Sequence, residues 1–192
     1  MTISPRADAV LSYWRDLGPA GWYAGGEALD SEIRERFEGD WNTVIAGGHR
    51  DWMHCPEGIL AFLLLTDQFP RNMFRGQAKA FASDPLARRA AHHAWQNQSD
   101  LRIEEPMRQF FYLPLEHSES PFDQDRAVAL IKARMPETGA ETLLHARAHR
   151  EIIRRFRRFP FRNEALGRET TPEEKAFLEA GGYMAVVREL QG

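Results

Sequence analysis

Six prolines punctuate this chain at places that suit only the beginning of a helix. Ser4-Pro5, Cys55-Pro56, Asp84-Pro85, Glu105-Pro106, Ser120-Pro121 and Thr171-Pro172 each put proline in a first turn. There its missing N–H leaves nothing unpaired. Thr171 with Glu174 adds a capping box. Between these starts the apolar residues recur at three and four. Val10, Tyr13, Trp14 and Leu17 make one stripe, and Ile33, Phe37, Trp41, Val44 and Ile45 make another. No stretch alternates apolar and polar residues between hairpin turns, so no sheet is expected. The spacing predicts an all-α fold of about seven or eight helices, over 5–17, 29–46, 56–69, 85–97, 104–112, 121–134, 138–159 and 172–180. Their short connections favour antiparallel neighbours. No linker interrupts the chain, which predicts a single domain over 1–192.

Composition narrows the function classes. The 192 residues carry a net charge of −3, which gives no basic field for nucleic acid. The longest apolar run, "ILAFLLL", is too short to cross a bilayer. The N-terminus lacks the basic and apolar regions of a secretory signal. One cysteine, Cys55, permits no internal disulfide, and a cytoplasmic location is expected. No G-x-S-x-G elbow, phosphate-binding glycine loop or C-x-x-C site is present, and no cofactor is implied.

Two segments look alike: "DQFPRNMFR" at 67–75 and "RFPFRN" at 158–163. In both, Phe-Pro is expected to end a hydrophobic helix, because the residue before proline disfavours α geometry. Asn72 and Asn163 are natural turn residues. Helix 56–69 is apolar almost all round and reads as the buried central element. A carboxylate at its C-terminus, Asp67, meets the negative end of the helix dipole and needs a cation. Arg71, Arg75, Arg158 and Arg162 are the candidates.

Helix 138–159 carries a second anomaly. At 100° per residue, His145 and His149 fall in the middle of the stripe made by Thr142, Ile152, Ile153 and Phe156. Both histidines are expected to point inward. Their i, i+4 spacing matches two zinc ligands, but no metalloprotease glutamate follows the first, and no metal is assigned. In the turn "PLEHSES", Glu116 and His117 stand together. His117 and His149 are the candidates for acid–base work should a reaction occur. Cys55 beside His54 lacks any further sign of a cysteine hydrolase.

The blocks "LLLTDQFPRNMFRGQAKAFASDPLA", "FFYLPLEHSE" and "HREIIRRFRRFPFRNEALGRETTPEEKAFL" resemble the bacterial family called domain of unknown function 924. The resemblance implies an all-α, tetratricopeptide-like fold of paired helices with a groove, and it implies no activity. Its typical polar positions are Asp67, Gln68, Arg71, Asn72, Glu116, His117, Glu119, His149, Arg162 and Asn163 here. Arg157 stands where that family commonly has glycine, and Phe161 where it commonly has histidine.

From this comes one favoured expectation: the two corners and the Glu116-His117 turn converge on a pocket for a small anionic ligand. Asp67, Gln68, Arg71, Asn72, Arg75, Glu116, His117, His149, Arg162 and Asn163 form the expected site. Arg71 and Arg162 would take the acidic group. Two rival readings remain. One is a helical scaffold for a peptide or partner protein, and the other is a structural ion-pair network holding the turns.

Overall fold

A computed structural model describes residues 3–192 of the chain. Among these the structure is all-helical, with no strand. It separates into two compact units, Met1–Pro114 and Leu115–Gly192.

The first unit holds α1 (Pro5–Trp22), α2 (Glu27–Ile45), α3 (Pro56–Leu63), α4 (Phe69–Met73) and α5 (Asp84–Gln96). Prolines 5, 56 and 85 sit in first turns, as expected. Gly18 (φ 68°, ψ 171°) breaks α1 where the sequence reading ended that helix, and one further turn follows. The helix expected over 104–112 is instead a 3-10 turn, Met107–Phe111, entered just after Pro106. A 3-10 turn over Arg50–His54 packs so closely on α3 that a Cβ on Gly58 would lie 2.2 Å from the Trp52 carbonyl oxygen. Phe69 lies at the middle of the core, fully buried. Its ring centroid is 4.9 Å from that of Phe37, 5.3 Å from that of Trp14 and 6.3 Å from that of Tyr13. Aromatic pairs at these spacings add stability beyond the area they bury.

Pro70 does not stop the helix, contrary to the sequence expectation. Phe69 keeps α geometry (φ −62°, ψ −39°) and the chain continues through α4. A π segment, Leu64–Gln68, makes this possible, with the Phe69 N–H bonding Leu64 O five residues back. Pro70 has no N–H for the carbonyls one turn below it. Side chains supply the donors instead. Ser83 Oγ donates to Thr66 O at 2.6 Å while accepting from Trp41 Nε1 at 3.0 Å. Arg71 donates to Asp67 O at 2.7 Å.

The second unit contains α7 (Pro121–Arg134), α8 (Ala140–Phe156), α9 (Pro172–Glu179) and α10 (Gly182–Gln191). A single turn, α6 (Leu113–Glu116), spans the boundary between the units. α7 and α10 both pack on α8. The core is Ala148, Ile152, Ile153, Phe159, Val186 and Val187, flanked by Leu144, Phe156, Phe177 and Tyr183. The capping box at Thr171 and Glu174 is present, with both of its hydrogen bonds. α10 was not anticipated. The pair Gly181-Gly182, at φ 103° and 53°, reads as a breaker, yet Tyr183, Val186 and Val187 follow at helical spacing.

α8 ends earlier than expected. Arg157, just past its last residue, adopts φ 61° and ψ 3°, and Phe159 is extended. Here the helix ends at the left-handed Arg157, before the proline corner is reached. The left-handed position also accounts for the glycine that the resemblance expects at 157, since a Cβ is disfavoured there by about 1 kcal/mol.

Two substitutions test these backbone arguments. Ser83→Ala leaves Thr66 O and Trp41 Nε1 buried without partners, and is expected to cost about 2 kcal/mol in denaturant unfolding. Arg157→Gly relieves the left-handed strain and is expected to raise the melting temperature by about 2 °C.

Candidate functional site

The expected site residues fall in both units. Asp67, Gln68, Arg71, Asn72 and Arg75 belong to the first; Glu116, His117, His149, Arg162 and Asn163 belong to the second.

In the first unit each of the five has an internal partner. Asp67, 2% exposed, lies 3.1 Å from the Arg71 guanidinium, which identifies its cation. Arg71 also forks onto Asp84, at 3.0 and 3.2 Å. Burial opposes the Arg71 charge, yet Asp67 and Asp84 together hold its pKa above the ordinary arginine value. Gln68 donates to Asn72 at 3.1 Å, and Asn72 donates to Asp30 at 3.0 Å. Arg75 forks onto the same Asp30 at 2.7 and 3.0 Å. Burial raises the Asp30 pKa, but Arg75 and Asn72 outweigh it and hold the carboxyl below its usual range. Buried charges matched in this way lock a corner in place.

In the second unit, the Glu116-His117 turn and the "RFPFRN" corner do come together. Gln124, fully buried, donates to the carbonyls of Glu116 and Ser118 at 2.5 and 2.7 Å, which fixes the turn. Glu119 accepts from the Phe159 N–H at 2.8 Å and is forked by Arg168, whose Nη2 also donates to Phe159 O at 3.0 Å. Burial opposes the Glu119 charge, but Arg168 and that N–H hold its pKa low. Arg158 pairs with Glu174 at 2.5 Å, and Asn163 donates to the same carboxylate at 3.2 Å. The Arg162 guanidinium lies 4.4 Å over the Phe159 ring.

The inward histidines sit where their spacing placed them, each with a polar partner. His149 Nδ1 is 2.7 Å from Glu116 Oε1, and Glu116 is 2% exposed. Glu116 Oε2 is buried without a hydrogen-bond donor. His145 Nδ1 is hydrogen-bonded to the Tyr183 hydroxyl. The Tyr183 ring lies 4.7 Å from that of His149, and the His117 ring 5.9 Å from it. Burial first, and then the Glu116 charge, push the Tyr183 phenol well above its ordinary pKa, so it keeps its proton. His145, His149 and Tyr183 are all half-buried, so this face meets solvent while Glu116 lies behind it. Among the described residues no three His, Cys, Asp or Glu side chains are arranged to hold a metal ion.

Sequence reasoning missed Tyr183, Asp84, Asp30 and Arg168. Tyr183 was findable, because it opens the stripe continued by Val186 and Val187. Asp84 read only as a helix-start residue, and nothing local marks it as the second partner of Arg71.

The family described as bacterial protein of unknown function (DUF924) matches residues 10–182. The chain belongs to this family. A solved protein of unknown function from Agrobacterium tumefaciens is 40% identical to this DUF924 chain and superposes with a TM-score of 0.84, covering 90% of this chain and 96% of its own. No curated protein matches the chain. No helix among the described residues is long and apolar enough to cross a membrane.

The Arg158–Glu174 pair gives this unit a defined acid response. Hydrogen bonds from Arg158, opposed by burial, lower the Glu174 pKa from 4.5 to about 2. A depressed carboxyl stabilises the fold above its unfolded pKa, and that stability is lost as pH falls toward the folded value. Glu174→Gln is therefore expected to be less stable than the parent protein at neutral pH, with a lower melting temperature. The gap should narrow between pH 4.5 and about 2 in paired thermal melts. Glu151, also lowered to about 2, titrates in both proteins and cancels from the difference.

Proposed function

We propose that this DUF924 protein binds a small ligand at the imidazole–phenol face of its second unit. The "DQFPRN" corner is then a structural ion-pair network. One observation carries this reading: the half-open face of His145, His149 and Tyr183 backs onto Glu116, whose Oε2 has no donor. Buried carboxylate oxygens are ordinarily satisfied, so an orphan beside a solvent-facing face marks a place where a ligand group gains an interaction. By contrast, Arg71 is engaged by two carboxylates, which removes one of the two cations on which an anionic preference rested. His149, whose Nδ1 lies 2.7 Å from Glu116 Oε1, is the group that would accept a proton. A cytoplasmic location is part of the same proposal, in keeping with the free Cys55.

The scaffold alternative draws on the apolar side chains that the second unit leaves in water. Phe122 is 60% exposed, and Met184 on α10 is 49% exposed. A tetratricopeptide-like groove would use such residues for a peptide.

A thermal-shift panel of carboxylates, phosphates, nucleotides and small amines separates the two. Ligand at one hundred times its dissociation constant adds about 2.7 kcal/mol. The melting temperature should then rise by roughly 5–10 °C. The expected result is a hit that disappears in a folded His149→Ala variant. No hit from any class, with His149→Ala melting far below the parent, would make the cluster structural.

A further inference from the structure

The same face indicates a ligand class, an inference that rests on the site reading above. Four rings of the second unit close a circuit. His149 stands edge-on to Phe159 with centroids 5.3 Å apart, and Phe159 stacks on Phe161 at 5.2 Å. Phe161 stands edge-on to Tyr183 at 6.1 Å, and Tyr183 returns to His149 at 4.7 Å. Phe161 is 42% exposed, Tyr183 is half-buried and the His149 side chain is 12% exposed, so the circuit opens to solvent mainly at Phe161. Glu116 lies directly behind His149, with Oε1 2.7 Å from Nδ1 and Oε2 unpartnered. The faces of Phe and Tyr rings carry negative potential and attract cations. Within the fold, the Phe159 ring already holds a guanidinium, that of Arg162, at 4.4 Å.

We propose that the ligand is a small organic cation, an ammonium whose positive head rests on the exposed ring of Phe161 beside Tyr183 and His149, with the Glu116 carboxylate behind them. A neutral molecule of the same shape would gain only apolar contact. An anion would be repelled by Glu116. Aromatic walls backed by a carboxylate suit an alkylated ammonium especially, because its charge is spread and its desolvation is mild.

Calorimetric titration with three probes of similar shape tests this. They are choline, the neutral isostere with carbon in place of its nitrogen, and pivalate. Choline is expected to bind about tenfold tighter than the isostere, and pivalate more weakly than either. Choline should also shift the aromatic NMR signals of Tyr183 and Phe161. Phe161→Ala removes a partly exposed ring that stacks on Phe159 at the edge of the core and, with the fold confirmed by circular dichroism, should reduce choline binding to the level of the isostere. Glu116→Gln should do the same where it folds. Equal binding of choline and its isostere, tighter binding of pivalate, unchanged choline affinity in Phe161→Ala, or no choline binding at all would overturn the inference. A thermal-shift hit from an acid, lost in His149→Ala, would leave the site in place and remove only its cationic preference.

Discussion

The helix at the centre of the first unit has a proline inside it, and the surrounding structure answers that one missing N–H. A proline within a helix removes a hydrogen bond and crowds the preceding turn, at a cost of about 3 kcal/mol when nothing compensates. Here the backbone widens into a π segment over Leu64–Gln68, so the register shifts before Pro70 is reached. Ser83, held by Trp41, supplies a donor for Thr66 O, and Arg71 supplies one for Asp67 O. Phe69 consequently stays on the helix and points into the rings of Tyr13, Trp14 and Phe37. Arg71, brought close to Asp67 by the same turn, is fixed from the far side by Asp84. The polar residues of the "DQFPRN" corner thus have a structural reason to be what they are.

The second corner solves a different problem with nearly the same letters. α8 ends at Phe156, Arg157 turns left-handed, and Phe159-Pro160 runs extended. The exposed N–H and C=O of Phe159 are then taken by Glu119 and Arg168, which also pair with each other. That closed set pins the Phe159 ring beside His149. Whether Phe-Pro stops a helix is decided by what lies one turn earlier. "LLLTDQ" can rewind because side chains elsewhere in its unit receive the freed carbonyls, whereas the chain at Arg157-Arg158 has already left the helix.

Much of this was legible in the sequence. The proline starts at 5, 56, 85, 121 and 172, the Thr171–Glu174 box and the inward histidines follow from local rules, and the structure has all of them. Residues that act at a distance were not legible. Asp84 lies 13 positions from Arg71, and Asp30 lies 42 from Asn72. No local pattern distinguishes such carboxylates from solvated ones. The Asp67 problem was posed correctly by the helix dipole, and its answer needed the fold. α10 was not anticipated, although Tyr183, Val186 and Val187 follow at helical spacing.

Charge balance separates the two candidate regions. Around Arg71 and Asp30, guanidinium and carboxylate meet in matched forks, and each group gains its counter-charge from its own unit. Such an arrangement resists a ligand, because any incoming ion must displace a partner already in place. Around Glu116 the balance is uneven. One oxygen faces an imidazole, the other faces no donor, and the neighbouring phenol keeps its proton partly because the carboxylate is there. Folding alone would favour a neutral side chain at such a position, since an incompletely paired buried carboxylate destabilises. Glu116 thus differs from the matched carboxylates of the first unit, and the proposed ligand site rests on that asymmetry.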